Sequence, residues 1–169
     1  MPASLPGPTT PSVKRRLLSL LYEGLLLTAV ELVAVGLFLL LTGNRHSPAY
    51  GHALQFVLFL VTALYFIYFW SERGQTLAMK TWRIQLIKPG YARLPLRVAV
   101  ARFLLAWGWF LPALMACYAF NLNTEKEIAA ALLVGMAGWA LTAFLDQDRQ
   151  FLHDRLLGTR LVLRAQKPR

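Results

Sequence analysis

The sequence has a single cysteine and few charged residues, and both shortages exclude classes of protein. Because Cys117 stands alone, the chain forms no intrachain disulfide and no zinc site of several thiolates. Charged residues make up 15% of the 169 residues, against about a quarter in soluble domains. Hydrophobic residues make up 57%. This composition is typical of a membrane protein and argues against a soluble enzyme.

The apolar residues lie in four long blocks, which we interpret as four membrane-spanning helices. The first block is too long for a signal peptide and contains Glu23 and Glu31, so we expect it to stay attached as a span. Pro112 is expected to kink the third block. Aromatic residues at 65–70 end the second block and suit a lipid interface. The blocks are residues 17–41, 53–70, 103–120 and 128–145.

Acidic residues are scarce, with 8 Asp and Glu against 18 Lys and Arg. If the N-terminus is cytoplasmic, the four blocks put every basic residue except Arg45 and Lys126 on the cytoplasmic side. Loops on that side of a membrane carry an excess of Lys and Arg. The sequence therefore predicts a multi-pass protein of the plasma membrane with both termini in the cytoplasm. Topology explains the positive charge, so no nucleic-acid partner is expected.

The segments between and beyond the blocks have patterns of their own. Residues 1–12 contain four prolines and predict a disordered tail, and residues 165–169 form a basic tail. Residues 82–86 alternate in polarity, a Pro-Gly turn follows, and an apolar pattern resumes at Leu94 and Leu96, which predicts a β-hairpin. Residues 160–164 are also β-prone, and we expect them to join that hairpin. A turn of interfacial helix is predicted at 76–81.

Ionisable residues inside the blocks are the main anomaly. A charged side chain near the membrane centre costs about 2.5 to 3.5 kcal/mol. Glu31 lies near the middle of the first block, and Glu23 shares a helix face with Arg16, within about 20°. Arg102 enters the third block at a depth similar to that of Glu23. Two interpretations stay open: a relay for protons or ions, or structural contacts that hold helices together. For Arg102 the alternative is a side chain that reaches the headgroups.

Other groupings do not form a recognised catalytic or metal-binding set. Asp146, Asp148, His153 and Asp154 spread over a helix end and a loop without the spacing of a closed ligand set. The sequence has no glycine-rich phosphate loop and no nucleophile elbow. We therefore expect no metal, no cofactor and no enzymatic activity.

Three segments near the ends of the blocks form a recognisable set. They are RRLLSLLYE at residues 15–23, GQTLAMK at 74–80 and LHDRLLGTR at 152–160. Together they resemble the RDD family of bacterial membrane proteins, which is named for one arginine and two aspartates. The resemblance covers residues 13–164 and implies that Arg16 is the arginine and Asp154 the second aspartate. Glu23 stands in place of the first aspartate, where it keeps the carboxylate but adds a methylene. The resemblance also implies the bacterial inner membrane and favours transport of ions or small ligands.

The predicted protein is an all-α membrane protein with four transmembrane helices and a small cytoplasmic β-hairpin and tail segment. We expect it to be a component of ion transport or proton-coupled transport. In this hypothesis Glu23 is the titratable site, Arg16 or Arg102 is its charge partner, Glu31 is a deeper relay and Asp154 organises the cytoplasmic side. Because four spans are few for a pathway, a homo-oligomer is expected. The alternative is a non-transporting scaffold or assembly factor in which the same charges lock helices together.

Overall fold

The computed structural model describes residues 9–43, 47–142 and 152–164, and these are mostly helical. Ser12 caps the first helix by accepting from the amide of Arg15, and Gly43 ends it in the left-handed conformation. The helices are α1 (Val13–Thr42), α2 (Pro48–Arg73), α3 (Leu77–Thr81), α4 (Leu96–Ala106), α5 (Leu111–Ala119), α6 (Glu125–Thr142) and α7 (Leu152–Leu157). The strands are β1 (Ile84–Ile87) and β2 (Arg160–Leu163).

Three helical stretches in the described residues are long and apolar enough to cross a membrane. They are Val13–Thr42, Pro48–Arg73 and Leu96–Ala119, the last of which combines α4 and α5. Helix α6 coincides with most of the fourth predicted block but is not among the three, since its first turn carries three charged residues. Positions 143–145 of that block lie outside the described residues. The fold is thus a mostly helical membrane architecture with three candidate spans.

The third stretch is interrupted between α4 and α5. Helix α4 ends at Ala106, a 3-10 turn covers Trp107–Trp109, and α5 begins at Leu111. Pro112 occupies the first turn of α5, where its missing N–H costs nothing, so the break predicted at this proline lies just before it. Helix α5 then packs closely on α6.

The small sheet differs from the hairpin that the sequence predicts. Strand β1 pairs antiparallel with β2, with Ile84 opposite Leu163 and Leu86 opposite Leu161. The prediction that the tail strand joins this segment is therefore confirmed over residues 84–87, whereas the predicted hairpin is wrong. Pro95 cannot donate a ladder hydrogen bond, and it caps α4 instead, so that Leu96 is helical. The predicted short helix at 76–81 is confirmed as α3.

Both edges of the sheet contact other segments. The amide of Leu163 donates to the carbonyl oxygen of Thr9 (2.8 Å), so the described part of the N-terminal tail lies along β2. On the other edge the amide of Leu86 donates to the carbonyl oxygen of Gly74 (2.7 Å). Gly74 has a φ of +63°, and a Cβ there would lie 2.7 Å from the carbonyl oxygen of Leu86. Only glycine fits at this position.

The buried apolar core lies where α2 and α4 meet the sheet. Trp70, Phe103, Ile84, Leu86 and Leu161 belong to it. Away from this core the helices expose large apolar side chains, such as Leu41 at the far end of α1, which is 86% exposed. Such exposure suits contact with lipid rather than with water. We refer to α3, β1, α7 and β2 together as the cap.

Candidate functional site

Helix α1 buries three polar side chains on one face, and these begin the candidate site. They are Arg16, Ser19 and Glu23, spaced three and four residues apart so that they lie above one another on the helix. Glu23 is only 5% exposed. The side chain therefore lies inside the helix assembly, as the sequence predicts.

The carboxylate of Glu23 accepts hydrogen bonds from two hydroxyl groups of other elements. The hydroxyl of Tyr65 on α2 donates to Oε1 (2.6 Å), and the hydroxyl of Thr76 donates to Oε2. The sequence predicts Arg16 or Arg102 as the charge partner of Glu23, but the salt bridge of Arg102 is with Asp154. In the described part of the chain no Lys or Arg forms a salt bridge with Glu23. The carboxylate on α1 is thus hydrogen-bonded by neutral donors from α2 and from the start of α3.

Thr76 reaches Glu23 because it caps α3. Its hydroxyl oxygen accepts from the amide of Met79 (3.2 Å) while its proton points to the carboxylate, and the residue is only 1% exposed. Sequence reasoning missed both hydroxyl partners, since it placed Tyr65 in an aromatic belt. The available signal was a threonine at a helix start. At that position the hydroxyl oxygen accepts from a backbone amide, and the hydroxyl proton remains available to donate to one further acceptor.

A second buried cluster joins α4 to the C-terminal part of the cap. Arg102 Nε donates to Asp154 Oδ1 (2.8 Å), and its Nη2 donates to Oδ2 (3.4 Å). Thr159 donates through its hydroxyl to Asp154 Oδ1 (2.9 Å). The guanidinium of Arg102 also stacks over the ring of Trp70, with 4.3 Å from Cζ to the ring centroid. Asp154 is fully buried, so the carboxylate that the resemblance singled out is an internal anchor of the tail.

Arg16 is a second buried arginine that the carboxylate of Asp154 attracts. It is 4% exposed, its Nε donates to the carbonyl oxygen of Pro11 (3.1 Å), and it is attracted electrostatically by Asp154. Asp154 therefore attracts two buried guanidinium groups, of which Arg102 forms the salt bridge. Of the three positions that the resemblance matches, Arg16 and Asp154 attract each other electrostatically, while Glu23 has a separate set of partners.

Glu31 forms a third and simpler contact further along α1. It is half-buried, and the hydroxyl of Thr62 on α2 donates to its Oε1 (2.8 Å). Eight residues of helix separate Glu31 from Glu23, about 12 Å of rise. Within residues 9–43, 47–142 and 152–164, no three His, Cys, Asp or Glu side chains converge as a metal site.

A cavity of about 470 Å³ is lined by residues from both buried clusters. Its charged walls are Arg16, Glu23 and Arg102, and Thr62 lies on the wall at its deeper end. Most of the remaining wall is apolar and includes the rings of Phe66, Phe103 and Trp107 and the sheet residues Ile84 and Leu161. Both the volume and the largely apolar wall with a few polar groups are typical of sites for small ligands.

Comparison with known proteins places the chain in a family. No curated protein and no solved structure matches it. A family model described as the RDD family matches residues 10–158, which includes Arg16, Glu23, Arg102 and Asp154, the first two of the three segments and most of the third. Together with the apolar helices, this match indicates an integral membrane protein. The chain therefore belongs to the RDD family.

Proposed function

We propose that the protein crosses the bacterial inner membrane four times, with both termini in the cytoplasm, and takes part in ion transport or proton-coupled transport. The contacts of the cap support the fourth span. Thr9, β1 and β2 lie together, so an even number of crossings must separate them along the chain. The three candidate spans are an odd number, and helix α6 supplies the fourth crossing. The excess of Lys and Arg around the cap supports its cytoplasmic side.

The observation that carries the transport proposal is the environment of Glu23. A carboxyl group in a spanning helix is costly to keep and marks pathways for ions or protons. Here its described partners are the hydroxyls of Tyr65 and Thr76, which donate to a carboxylate and also accept from a protonated acid. A proton or a cation therefore binds and leaves without the rupture of a buried ion pair. The adjoining cavity gives the group room for a ligand.

The experiment that tests this proposal is flux into proteoliposomes under a pH gradient. Glu23→Gln keeps the shape of the side chain and one acceptor oxygen but replaces the other oxygen by an NH2 donor and removes the titration, so we expect flux to stop. Glu72→Gln is the matched control, since Glu72 is an exposed carboxylate paired with Arg93, and its flux should equal that of the wild type. Glu31→Gln tests the deeper relay and should slow flux.

Two outcomes contradict the transport proposal. One is wild-type flux in Glu23→Gln, and the other is a wild-type protein no more permeable than empty vesicles. The proposal also includes a homo-oligomer, because four helices offer little room for a pathway within one chain. Its stoichiometry is measured by crosslinking in the membrane.

A scaffold or assembly factor is the second candidate function, and the cluster at Asp154 favours it. Arg102 and Thr159 both donate to this fully buried carboxylate, an arrangement that fixes the tail to α4. A scaffold predicts no flux for either the wild type or Glu23→Gln. It predicts instead that variants of Asp154 lose co-purifying membrane partners while variants of Glu23 keep them.

A further inference from the structure

We propose that the cavity binds one anionic phospholipid of the cytoplasmic leaflet, with an acyl chain along its apolar walls and the phosphate at the Arg16 end. The first support is how the helices pack. Helices α1 and α4 both pack on α2, while contact between α1 and α4 themselves is slight. The cavity lies in this gap, and lining residues on both sides of it are exposed and apolar: Leu17, Leu20, Trp107 and Phe110. An opening between two spanning helices faces lipid.

The second support is an unused donor in the cavity wall. The ring of Trp70 lines the cavity and the residue is 5% exposed, yet its Nε1–H is buried and has no hydrogen-bond partner among the described residues. Buried donors of this kind are rare, since leaving one unsatisfied is costly. A ligand oxygen at this end of the cavity supplies the missing acceptor.

The third support is charge. Arg16 and Arg102 both line the cavity, so positive charge is concentrated at this end. Lys14 and Arg15 are exposed at the start of α1 and add to it. Glu23 lies about 10 Å further along α1 and is held by hydroxyls. The end of the cavity near Arg16 therefore favours an anion with acceptor oxygens.

The combination distinguishes a phospholipid from a free phosphate ion. A free ion satisfies the donors but leaves the apolar walls empty, whereas a lipid fills both parts. The phosphate then lies at the depth of the first turn of α1, where headgroups are expected, and the chain extends toward Leu27 and Thr62. Basic pockets between spanning helices on the cytoplasmic side are known to bind anionic headgroups.

The test is retention of lipid by the detergent-purified protein, measured by native mass spectrometry during titration with phosphatidylglycerol, phosphatidylcholine or inorganic phosphate. Trp70→Phe keeps an aromatic ring and removes the N–H, so phosphatidylglycerol should bind about tenfold more weakly. Gly24→Leu fills the cavity, because Gly24 lines it and a Cβ there meets no atom within 4 Å. This variant should retain no phosphatidylglycerol beyond the level of phosphatidylcholine.

Gly36→Leu is the matched control. Gly36 lies in the same helix, a Cβ there also meets no atom within 4 Å, and it does not line the cavity, so lipid retention should equal that of the wild type. Equal retention of the two phospholipids by the wild type overturns the proposal, as does unchanged retention in a well-folded Gly24→Leu. Displacement of the lipid by inorganic phosphate identifies a free-anion site and also overturns it. Both proposals use this cavity, but Trp70→Phe and Gly24→Leu leave the carboxylate of Glu23 in place, so failure of lipid binding and failure of the Glu23→Gln flux experiment are distinguishable.

Discussion

Removing the carboxylate of Asp154 tests how the tail is held to the membrane helices. The side chains of Arg102 and Asp154 are 8% and 0% exposed, and Thr159 donates to the same carboxylate. Asp154→Ala therefore leaves a buried guanidinium without its counter-charge, and the hydroxyl of Thr159 keeps only its longer hydrogen bond (3.3 Å) to the backbone carbonyl oxygen of residue 154. Breaking a buried pair in this way costs about 3 to 5 kcal/mol. Because that energy couples α7 to α4, we expect the tail to open locally before the helices separate.

Hydrogen exchange in detergent measures this opening peptide by peptide. In Asp154→Ala, amides of residues 152–164 and of β1 should exchange roughly a hundredfold faster or more, since each 1.4 kcal/mol is a factor of ten. Protection in the middle of α1 should not change. Asp154→Asn keeps the shape of the side chain and part of its hydrogen bonding, and its effect should be smaller.

Glu72→Ala is the matched control for this experiment. It also breaks a salt bridge with an arginine, Arg93 (3.2 Å), but both side chains are more than half exposed, at 73% for Arg93 and 51% for Glu72. Exposed pairs contribute about 0 to 1 kcal/mol, so exchange should hardly change. If the amides of the tail were as well protected from exchange in Asp154→Ala as in Glu72→Ala, the buried pair of Arg102 and Asp154 would not be what anchors the tail.

Two further experiments address the backbone and the topology. Gly74→Ala should lower the free energy of unfolding by about 2 to 3 kcal/mol, because the position combines a positive φ with a close approach to Leu86. Gly43→Ala shares the positive φ but its Cβ meets open space, so it should lower the free energy of unfolding by about 1 kcal/mol. Equal losses in the two variants, measured by thermal unfolding, would contradict the steric argument. In a background without the native cysteine, Tyr91→Cys should react with an impermeant thiol reagent only from the cytoplasmic side and Asn123→Cys only from the other side. Labelling of both positions from one side would contradict four spans.

The sequence alone predicts the membrane class, the apolar helices and the β-prone segments. These features depend on local patterns, which are long apolar runs for the spans and alternation of polarity for β1. Burial of Glu23 was also predictable, because a carboxylate in an apolar block is too costly to face lipid. The three polar segments were sufficient to point to the RDD family, which the family match confirms.

Only the tertiary structure decided which groups meet. Arg102 bonds to a carboxylate 52 residues away rather than to Glu23, and β1 pairs with a strand beyond the last helix rather than with the segment after its own turn. These choices depend on long-range packing, which brings the tail to α4 and α3 to α1. No periodic pattern in the sequence indicates these long-range pairings. Hydroxyl groups of Tyr65 and Thr76 could not be identified as partners of Glu23 for the same reason, since a neutral donor becomes specific only when the fold holds it within hydrogen-bonding distance of its acceptor.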